Sequence, residues 1–315
     1  MKNHEQRFTL HEQRVLFIVG PTAVGKTELA VELAKRLGGE VISADSMQVY
    51  RGMDVGTSKP TASQRSEIPH YLVDILEPSQ EYSCADFKEK AKPLIEDILA
   101  RKKLPMVVGG SGLYVRALVD GLFAGPGADW DLRKALYEEA EFSGTEALYE
   151  RLKKMDDATA ENIMPNDARR IIRALEVCLK TDDKISELRK NTQGIISKYD
   201  VKMIGLIRER AELYNRIDKR VDEIFERGLV EETEALVKKN PSRTAMQALG
   251  YKEVAGLLRG EHSLDEAKRL AKRNTRHFAK RQLSWFRRDK RIEWIDATTK
   301  KMDEIIEAIT AVEQK

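Results

Sequence analysis

The sequence contains little from which a disulfide, a metal cage or a membrane anchor could be built. Only two of its 315 residues are cysteine, and Cys84 and Cys178 stand apart in helix-like surroundings, which favours buried thiols over a disulfide. The five histidines show no metal-ligand spacing with these cysteines. The polar start of the chain and the short apolar run that follows it predict neither a signal peptide nor a bilayer-spanning segment. Together these absences predict a cytoplasmic protein.

An excess of charge of one sign is also lacking. The chain carries 55 Lys and Arg against 52 Asp and Glu, a net charge of +3, so its overall field does not by itself indicate a nucleic-acid partner. The local distribution differs, because Lys268 to Arg291 holds eleven basic residues and one acid, Asp289. A hydrophobic content of 41% can fill one large core or two smaller ones. No heptad repeat or long exposed apolar stripe demands a partner chain, which predicts a monomer.

The first fifty residues predict a βαβ unit. Val15 to Val19 reads as a strand buried on both faces, and Gly25 to Leu37 as a helix with apolar residues three and four apart. Glu40 to Ala44 reads as a second strand, which the crossover rule makes parallel to the first. Further strands are predicted at Tyr71 to Ile75, Pro105 to Val108, Val201 to Ile207 and Arg291 to Ile295, with a helix at Ala85 to Ala100. This alternation predicts an α/β fold, a P-loop NTPase-like parallel sheet core.

The strand pattern disappears between Gly125 and about Thr192. Four or five helices are predicted there, with N-caps at Asp129, Ser143, Asp156 and Asn166. We therefore predict an inserted all-helical domain at 125–192, hinged at Gly125-Pro126-Gly127, within a catalytic core formed by 1–124 and 193–315.

The C-terminal part is predicted to be rich in helix. A capping box of Ser263 and Glu266 should open a helix from Leu264 to about Arg288. Helical spacing places apolar residues such as Ala267 and Ala271 on one face of it. The opposite face is basic and suited to phosphates: Arg269, Lys272, Arg273, Arg276, Lys280 and Arg287.

The strongest chemical signal is a phosphate-binding loop between the first strand and the first helix. It consists of Gly20, Pro21, Thr22, Ala23, Val24, Gly25, Lys26 and Thr27. Backbone N–H groups and the helix N-terminus can surround a phosphate, Lys26 can neutralise it, and the Thr27 hydroxyl can ligand Mg²⁺. Most such loops serve phosphoryl transfer, so a nucleotide or small-molecule kinase is one hypothesis. Against it, the strand ending at Val108 leads into glycines rather than a metal-binding Asp, unless Asp45 takes that role.

Asp45, Ser46, Met47 and Gln48 follow the second strand, at the sheet edge where ligands of open α/β folds bind. From position alone, Asp45 could accept a proton, bind a metal or cap a turn. The amide of Gln48 has the donor and acceptor pair that suits an adenine edge.

Several segments together resemble the motifs of bacterial tRNA dimethylallyltransferases, in the order of that family and across nearly the whole chain. Ser111 and Ser284 stand where Thr is common, and both keep the hydroxyl. The chain has no C-terminal zinc finger of the kind that members outside bacteria can carry. The segments are Gly20 to Thr27, Asp45 to Tyr50, Gly56 to Pro60, Gly109 to Tyr114, Leu249 to Glu253 and Thr275 to Arg287.

The resemblance implies that dimethylallyl diphosphate is the donor and that N6 of the adenosine 3′ to the anticodon is the acceptor. It implies Asp45 as general base, Thr22 to Thr27 as the holder of the diphosphate with Mg²⁺ on Thr27, and Arg220 as a further catalytic contact. It also implies contact with the tRNA anticodon stem-loop by Asp45, Ser46, Met47, Gln48, Ser111, Arg133, Arg169, Arg170, Ile171, Ile172, Arg173, Arg281 and Gln282.

Without the resemblance, several of these residues have ordinary alternatives. Arg216 and Arg220 could belong to a solvated helix face paired with nearby acids. Thr57 and Lys59 could form a surface turn, and the arginines at 169, 170 and 173 could be a charged solvent face. A third hypothesis for the whole chain is a non-catalytic RNA-binding protein that uses a nucleotide as a switch.

Overall fold

The computed structural model describes residues 13–123, 125–181 and 183–313, and over these residues it has six short strands, fifteen α-helices and two short 3₁₀ helices. The strands are β1 (Arg14–Val19), β2 (Gly39–Ser43), β3 (His70–Tyr71), β4 (Leu104–Gly109), β5 (Asp200–Ile207) and β6 (Ile292–Asp296). The first helices are α1 (Lys26–Leu37), α2 (Ala62–Glu67), α3 (Cys84–Ala100), α4 (Gly112–Val119), α5 (Trp130–Ser143), α6 (Thr145–Met155), α7 (Asp157–Ala160), α8 (Ala168–Thr181) and α9 (Ile185–Leu188). The remaining helices are α10 (Arg210–Glu226), α11 (Leu229–Val237), α12 (Arg243–Met246), α13 (Tyr251–Leu258), α14 (Leu264–Phe286) and α15 (Met302–Glu313).

All strand pairs are parallel, and the order across the sheet is β3-β2-β4-β1-β5-β6. Every residue of β1, β2 and β4 is buried, which explains their nearly continuous apolar sequences. Because the strands are parallel, the loops after β1, β2, β4 and β5 all leave from the same edge of the sheet. The predicted α/β fold with a parallel P-loop-like sheet is therefore confirmed.

Three local predictions were wrong, namely the length of one strand and the capping residues of two helices. The strand predicted at Tyr71 to Ile75 is only His70–Tyr71, because Leu72 and Asp74 have φ values of 62° and 56°, which extended strands do not allow. Ser143 is the last residue of α5, and Gly144 precedes α6. The N–H of Arg170 at the start of α8 donates to Asp167 Oδ1 at 3.2 Å, so Asp167 rather than Asn166 provides that cap.

The chain divides into two compact units, each with its own apolar core. Unit 1 comprises the described residues up to Val119 together with those from Ile195 onward, and unit 2 comprises residues 120–194. The sequence had placed these boundaries at 124/125 and 192/193. Unit 2 contains α5 to α9, packed around Leu148, Leu152, Ile171 and Leu175. Among the described residues, no helix has both the length and the apolar character required to cross a bilayer.

We expect Gly109→Ala to destabilise the sheet, because a Cβ there would overlap the carbonyl oxygen of Ala44 on the neighbouring chain segment. The cost should be about 1–3 kcal/mol of unfolding free energy, the usual range for overpacking a core. Urea unfolding would measure it. Gly127→Ala is the matched control, since a Cβ there would meet no atom within 4 Å. An equal midpoint for the two variants would show that the close approach at Gly109 is not needed.

Candidate active site at the carboxyl edge of the sheet

The loop between β1 and α1 has the backbone shape of a phosphate-binding nest. Gly20 and Gly25 have φ values of 144° and 108°, and Ala23 is left-handed at 63°. A Cβ on Gly20 would lie 2.6 Å from the carbonyl oxygen of Leu206, so this position requires glycine. The α1 helix begins at Lys26, and its first N–H groups point toward the loop as a natural anion site.

Three side chains from distant parts of the chain hold the loop in this shape. Arg216 Nε donates to the carbonyl oxygen of Ala23 at 2.9 Å, and Arg208 Nε donates to that of Val24 at 3.0 Å. On the other side of the loop, the N–H of Thr22 donates to Gln282 Oε1 at 2.9 Å. Because of this contact, Arg216 is not simply part of a solvated helix face.

Lys26 lies over the loop as a desolvated cation. Its Nζ donates to the carbonyl oxygens of Gly20 and Pro21 at 2.9 and 2.7 Å. Burial lowers the pKa of Lys26 to about 7, while Asp45 opposes this shift and Arg220 adds to it. Burial likewise lowers the pKa of Arg220, and Asp45 again opposes the shift. Thus Lys26, Arg220 and Asp45 interact electrostatically, and the Asp45 carboxylate opposes the lowering of both pKa values.

Asp45 follows β2 and uses one carboxylate oxygen for local structure. Its Oδ1 accepts from the N–H groups of Met47 at 2.9 Å and Gln48 at 3.4 Å, so the turn-capping reading is correct for that oxygen. Over the described part of the chain, Oδ2 makes no hydrogen bond, which leaves it able to accept a proton from a ligand. Asp45 can therefore cap the turn through Oδ1 and still accept a proton through Oδ2.

The amide of Gln48 is hydrogen-bonded within the protein, and its predicted contact with an adenine edge stays a prediction. Its Oε1 accepts from Ser43 Oγ at 3.0 Å, and its Nε2 donates to the carbonyl oxygens of Thr57 and Ser58 at 3.4 Å each. In this conformation Gln48 joins the Asp45 segment to the loop 53–59.

That loop is structurally fixed, so the simple surface-turn reading of Thr57 and Lys59 is wrong. Thr57 is buried and its hydroxyl donates to the carbonyl oxygen of Met53 at 2.5 Å. The Lys59 side chain is only 3% exposed, and its Nζ donates to the carbonyl oxygen of Tyr50 at 2.5 Å and pairs with Asp54 and Asp74. Both side chains hold the loop together rather than project from it.

Sequence reasoning missed Glu232 of α11, the residue that fixes the other side of this loop. Its carboxylate accepts from three consecutive N–H groups, those of Asp54, Val55 and Gly56, at 2.9 to 3.2 Å. The Tyr251 hydroxyl donates to the same carboxylate at 2.5 Å. No local signal marks Glu232, because the three N–H groups that it binds lie about 177 positions away in the chain.

The loop after β4 brings the Asp45 segment, the phosphate loop and α14 together. Ser111 Oγ accepts from the N–H of Ser46 at 3.3 Å, and Gln282 Nε2 donates to the carbonyl oxygen of Gly110 at 2.9 Å. A Cβ at Gly110 would overlap the Gln282 amide. Gln282 is 8% exposed and both ends of its amide are bound, so it bridges two loops, while its predicted contact with tRNA stays a prediction.

The basic face predicted on the long helix α14 is partly neutralised by α10. Lys272 pairs with Asp222 at 2.7 Å and Arg276 with Asp218 at 2.7 Å. Arg281, by contrast, is exposed, with its guanidinium 5.8 Å from the centroid of the Phe278 ring. The Ser263 hydroxyl caps the helix as predicted, while the carboxylate of Glu266 pairs with Arg269.

In unit 2, two of the predicted RNA contacts lie in the core and two bind an internal acid. Ile171 and Ile172 are buried in α8, and their predicted contact with tRNA stays a prediction. Arg133 and Arg173 both pair with the buried carboxylate of Glu176. Arg169 and Arg170 are exposed, and Arg170 pairs with Asp167 at 3.3 Å.

Within the described ranges, no group of three or more His, Cys, Asp or Glu side chains could together hold a metal. The oxygens at hand are the Thr27 hydroxyl, at the first turn of α1, and the Asp45 carboxylate after β2. A hard cation that takes most of its ligands from phosphate oxygens and water needs only one or two such protein groups. The residues present therefore fit Mg²⁺ bound with a polyphosphate.

Comparison with known proteins gives consistent matches along most of the chain. The sequence profile of the family described as IPP transferase matches residues 48–289. A tRNA dimethylallyltransferase of Halothermothrix orenii is 46% identical over 303 residues, covering 95% of this chain and 92% of that protein. The crystal structure of a tRNA isopentenylpyrophosphate transferase from Bacillus halodurans is 44% identical, with a TM-score of 0.71 and coverage of 96% and 97%. A eukaryotic dimethylallyltransferase acting on tRNA is 31% identical, with a TM-score of 0.78 and coverage of 95% and 78%.

The lowered pKa of Lys26 predicts that pyrophosphate binding weakens as pH rises above about 7. The free protein loses the Lys26 proton near pH 7, whereas a bound anion favours the protonated amine, so binding above this pH must take up a proton. The affinity should fall by up to about tenfold per pH unit until the pKa of the complex is reached. Titration calorimetry between pH 6 and 9 would measure this dependence.

Lys26→Arg is the control for that experiment, because its guanidinium stays charged over the whole range. The variant should show only the pH dependence of pyrophosphate itself. If wild type and Lys26→Arg had parallel profiles, Lys26 would not titrate in this window.

Gln282→Ala should loosen the phosphate loop, because it leaves the N–H of Thr22 and the carbonyl of Gly110 without their partner. Each buried group left unsatisfied costs about 1–3 kcal/mol, so both the unfolding free energy and the pyrophosphate affinity should fall. Lys280→Ala, an exposed change on the same helix, should alter neither by as much. Wild-type pyrophosphate affinity in Gln282→Ala would contradict the bridging role.

Proposed function

The chain belongs to the IPP transferase family, and from this membership we propose that it transfers a dimethylallyl group from dimethylallyl diphosphate to tRNA. The acceptor is N6 of the adenosine immediately 3′ of the anticodon, and diphosphate is released. The protein is thus a tRNA dimethylallyltransferase, as the resemblance of its motifs predicts. The observation that carries the proposal is the pairing, at one sheet edge, of a phosphate nest containing Lys26 with the carboxylate of Asp45.

The phosphate loop holds the leaving group. Breaking the allylic C–O bond develops negative charge on the diphosphate, so N–H donors of residues 23–27 and the cations Lys26 and Arg220 stabilise the transition state more than the ground state. The loop that carries these N–H donors is already fixed, since Arg208, Arg216 and Gln282 hold it before any ligand arrives. Pre-organised donors avoid the cost of reorganisation during the reaction.

Asp45 accepts the proton that the adenine amine must lose. The N6 lone pair forms the bond to the allylic carbon as the C–O electrons leave with the diphosphate, and one N6 hydrogen passes to the carboxylate. The Oδ2 oxygen is suited to this role because Oδ1 is held by the N–H groups of Met47 and Gln48, which orient the carboxylate. We assign Thr22, whose N–H donates to Gln282, to the diphosphate side of this reaction.

The Thr27 hydroxyl would hold Mg²⁺ at the proposed site, together with oxygens of the diphosphate. When bound, the ion supplies positive charge to the departing diphosphate. The protein residues then orient both substrates and exclude water from the reacting atoms.

The tRNA is proposed to reach the site through both units. Ser46, Met47 and Ser111 adjoin Asp45 at the sheet edge, and Arg281 is exposed on α14. The exposed Arg169 and Arg170 and the partly exposed Arg133 and Arg173 provide charge for phosphates in unit 2, the proposed tRNA-binding domain. Reading one loop base requires extruding it into a pocket. We propose that the protein acts as a monomer in the cytoplasm, where unmodified tRNA is found.

The direct test is incubation of the protein with labelled dimethylallyl diphosphate, Mg²⁺ and unmodified tRNA. Label should appear in RNA that has an adenosine 3′ to the anticodon, and not when that position is changed to guanosine. ATP turnover with no labelled RNA would support the kinase hypothesis and overturn the proposal.

Asp45→Asn should separate catalysis from RNA binding. Loss of a general base lowers kcat by about 10²–10⁴-fold, whereas tRNA affinity should change little because the amide can still accept from Met47 and Gln48. Single-turnover transfer and filter binding would measure the two quantities. Asp265→Asn, at an exposed carboxylate of α14, is the control. Equal loss of rate and affinity in Asp45→Asn would contradict a role as base.

A further inference from the structure

The α5 helix of unit 2 begins with an exposed tryptophan that has a cation fixed against its ring. Trp130 is 65% exposed, and the guanidinium carbon of Arg133 lies 5.1 Å from the ring centroid. Phe142 on the same helix is even more exposed, at 94%, but it is not among the described cation–π pairs. A single exposed aromatic residue needs no explanation, but Trp130 differs in having a guanidinium held beside its ring.

Arg133 is held by a buried acid. Its Nε and Nη2 donate to Glu176 Oε1 and Oε2 at 2.9 Å each, a bidentate pair. Glu176 is fully buried, which opposes ionisation, but hydrogen bonds from Arg133, the N–H of Asp129 and Arg173 outweigh this effect and lower its pKa. Arg133 is therefore fixed beside the ring and not free to move with solvent.

The same carboxylate fixes a second guanidinium. Arg173 Nη1 pairs with Glu176, and its Nη2 donates to the carbonyl oxygen of Pro126 at 3.0 Å. The Arg133 and Arg173 side chains remain 23% and 37% exposed. Two guanidinium groups against one buried carboxylate leave a net positive charge, with the exposed Arg169 one turn earlier on α8. A rigid aromatic face beside fixed positive charge is what an unpaired RNA base and its phosphate require.

We propose that Trp130 is a stacking platform for one unpaired base of the bound RNA loop, with Arg133 and Arg173 on the adjoining phosphate. This inference rests on the proposed tRNA substrate and adds a contact residue to it. Glu176 is a positioning residue, because it acts on the RNA only through the two arginines. The base stacks on the ring face opposite Arg133, so recognition there is tolerant of base identity.

Trp130→Ala should weaken binding of an anticodon stem-loop by about tenfold, since base stacking on an aromatic side chain contributes that much or more. Trp130→Phe keeps a stacking face and should recover most of the affinity, and Phe142→Ala on the same helix should match wild type. The salt dependence should stay unchanged in Trp130→Ala, because stacking neutralises no phosphate, and should become shallower in Arg169→Ala. Wild-type affinity in Trp130→Ala, or an equal loss in Phe142→Ala, overturns the proposal.

Fluorescence gives a second readout that does not depend on activity. The chain has three tryptophans, and stacking of a base on Trp130 should quench its emission. The quenching seen on adding the stem-loop should therefore be smaller in Trp130→Phe than in wild type, and an unchanged amplitude counts against stacking. If wild-type protein labels tRNA but Trp130 variants behave as wild type, this inference alone fails. If wild-type protein labels no RNA, the proposed function fails with it.

Discussion

The constraint on which the site depends is the desolvation of a positive charge before any anion is bound. Lys26 is bound to carbonyl oxygens of its own loop, and burial together with Arg220 lowers its pKa to about 7. Only nearby carboxylates such as Asp45 oppose this shift. A diphosphate bound at the nest would reduce the repulsion between Lys26 and Arg220. Because the negative charge on the diphosphate increases as it departs, the repulsion would then fall further. In the proposed function, the same desolvation would serve both binding and catalysis.

Keeping such a site in shape requires contacts that reach across the whole of unit 1. The phosphate loop is supported by Arg208 and Arg216 after β5 and by Gln282 of α14. The loop 53–59 is supported by Glu232, which accepts from three consecutive N–H groups. In each case a side chain satisfies a backbone group that a neighbouring strand cannot reach. These side chains thereby fix both loops.

The distribution of charge shows why counting basic residues is a poor guide to RNA contact. Lys272 and Arg276 of the basic helix face are paired with acids of α10, and they contribute to the packing of two helices. Arg133 and Arg173 are also paired, but with a fully buried carboxylate that leaves their outer edges exposed. In the first arrangement, the charged pairs join α14 to α10. In the proposed RNA contact, the second arrangement would favour binding, because an arginine that is already fixed loses less entropy when it binds a phosphate.

Sequence alone predicted the parallel strands, the phosphate loop and the family. Each of these features depends on short segments, and the local pattern and order of the segments are enough to recognise it. Strand periodicity and the glycine spacing of residues 20–27 needed no knowledge of distant contacts. Tertiary structure decided the roles of Gln48, Gln282 and Glu232, and the burial of Ile171 and Ile172. Gln282 meets Thr22 across 260 positions and Glu232 meets Val55 across 177. Whether a polar side chain faces a ligand or its own backbone depends on such pairings, which exist only once the chain has folded.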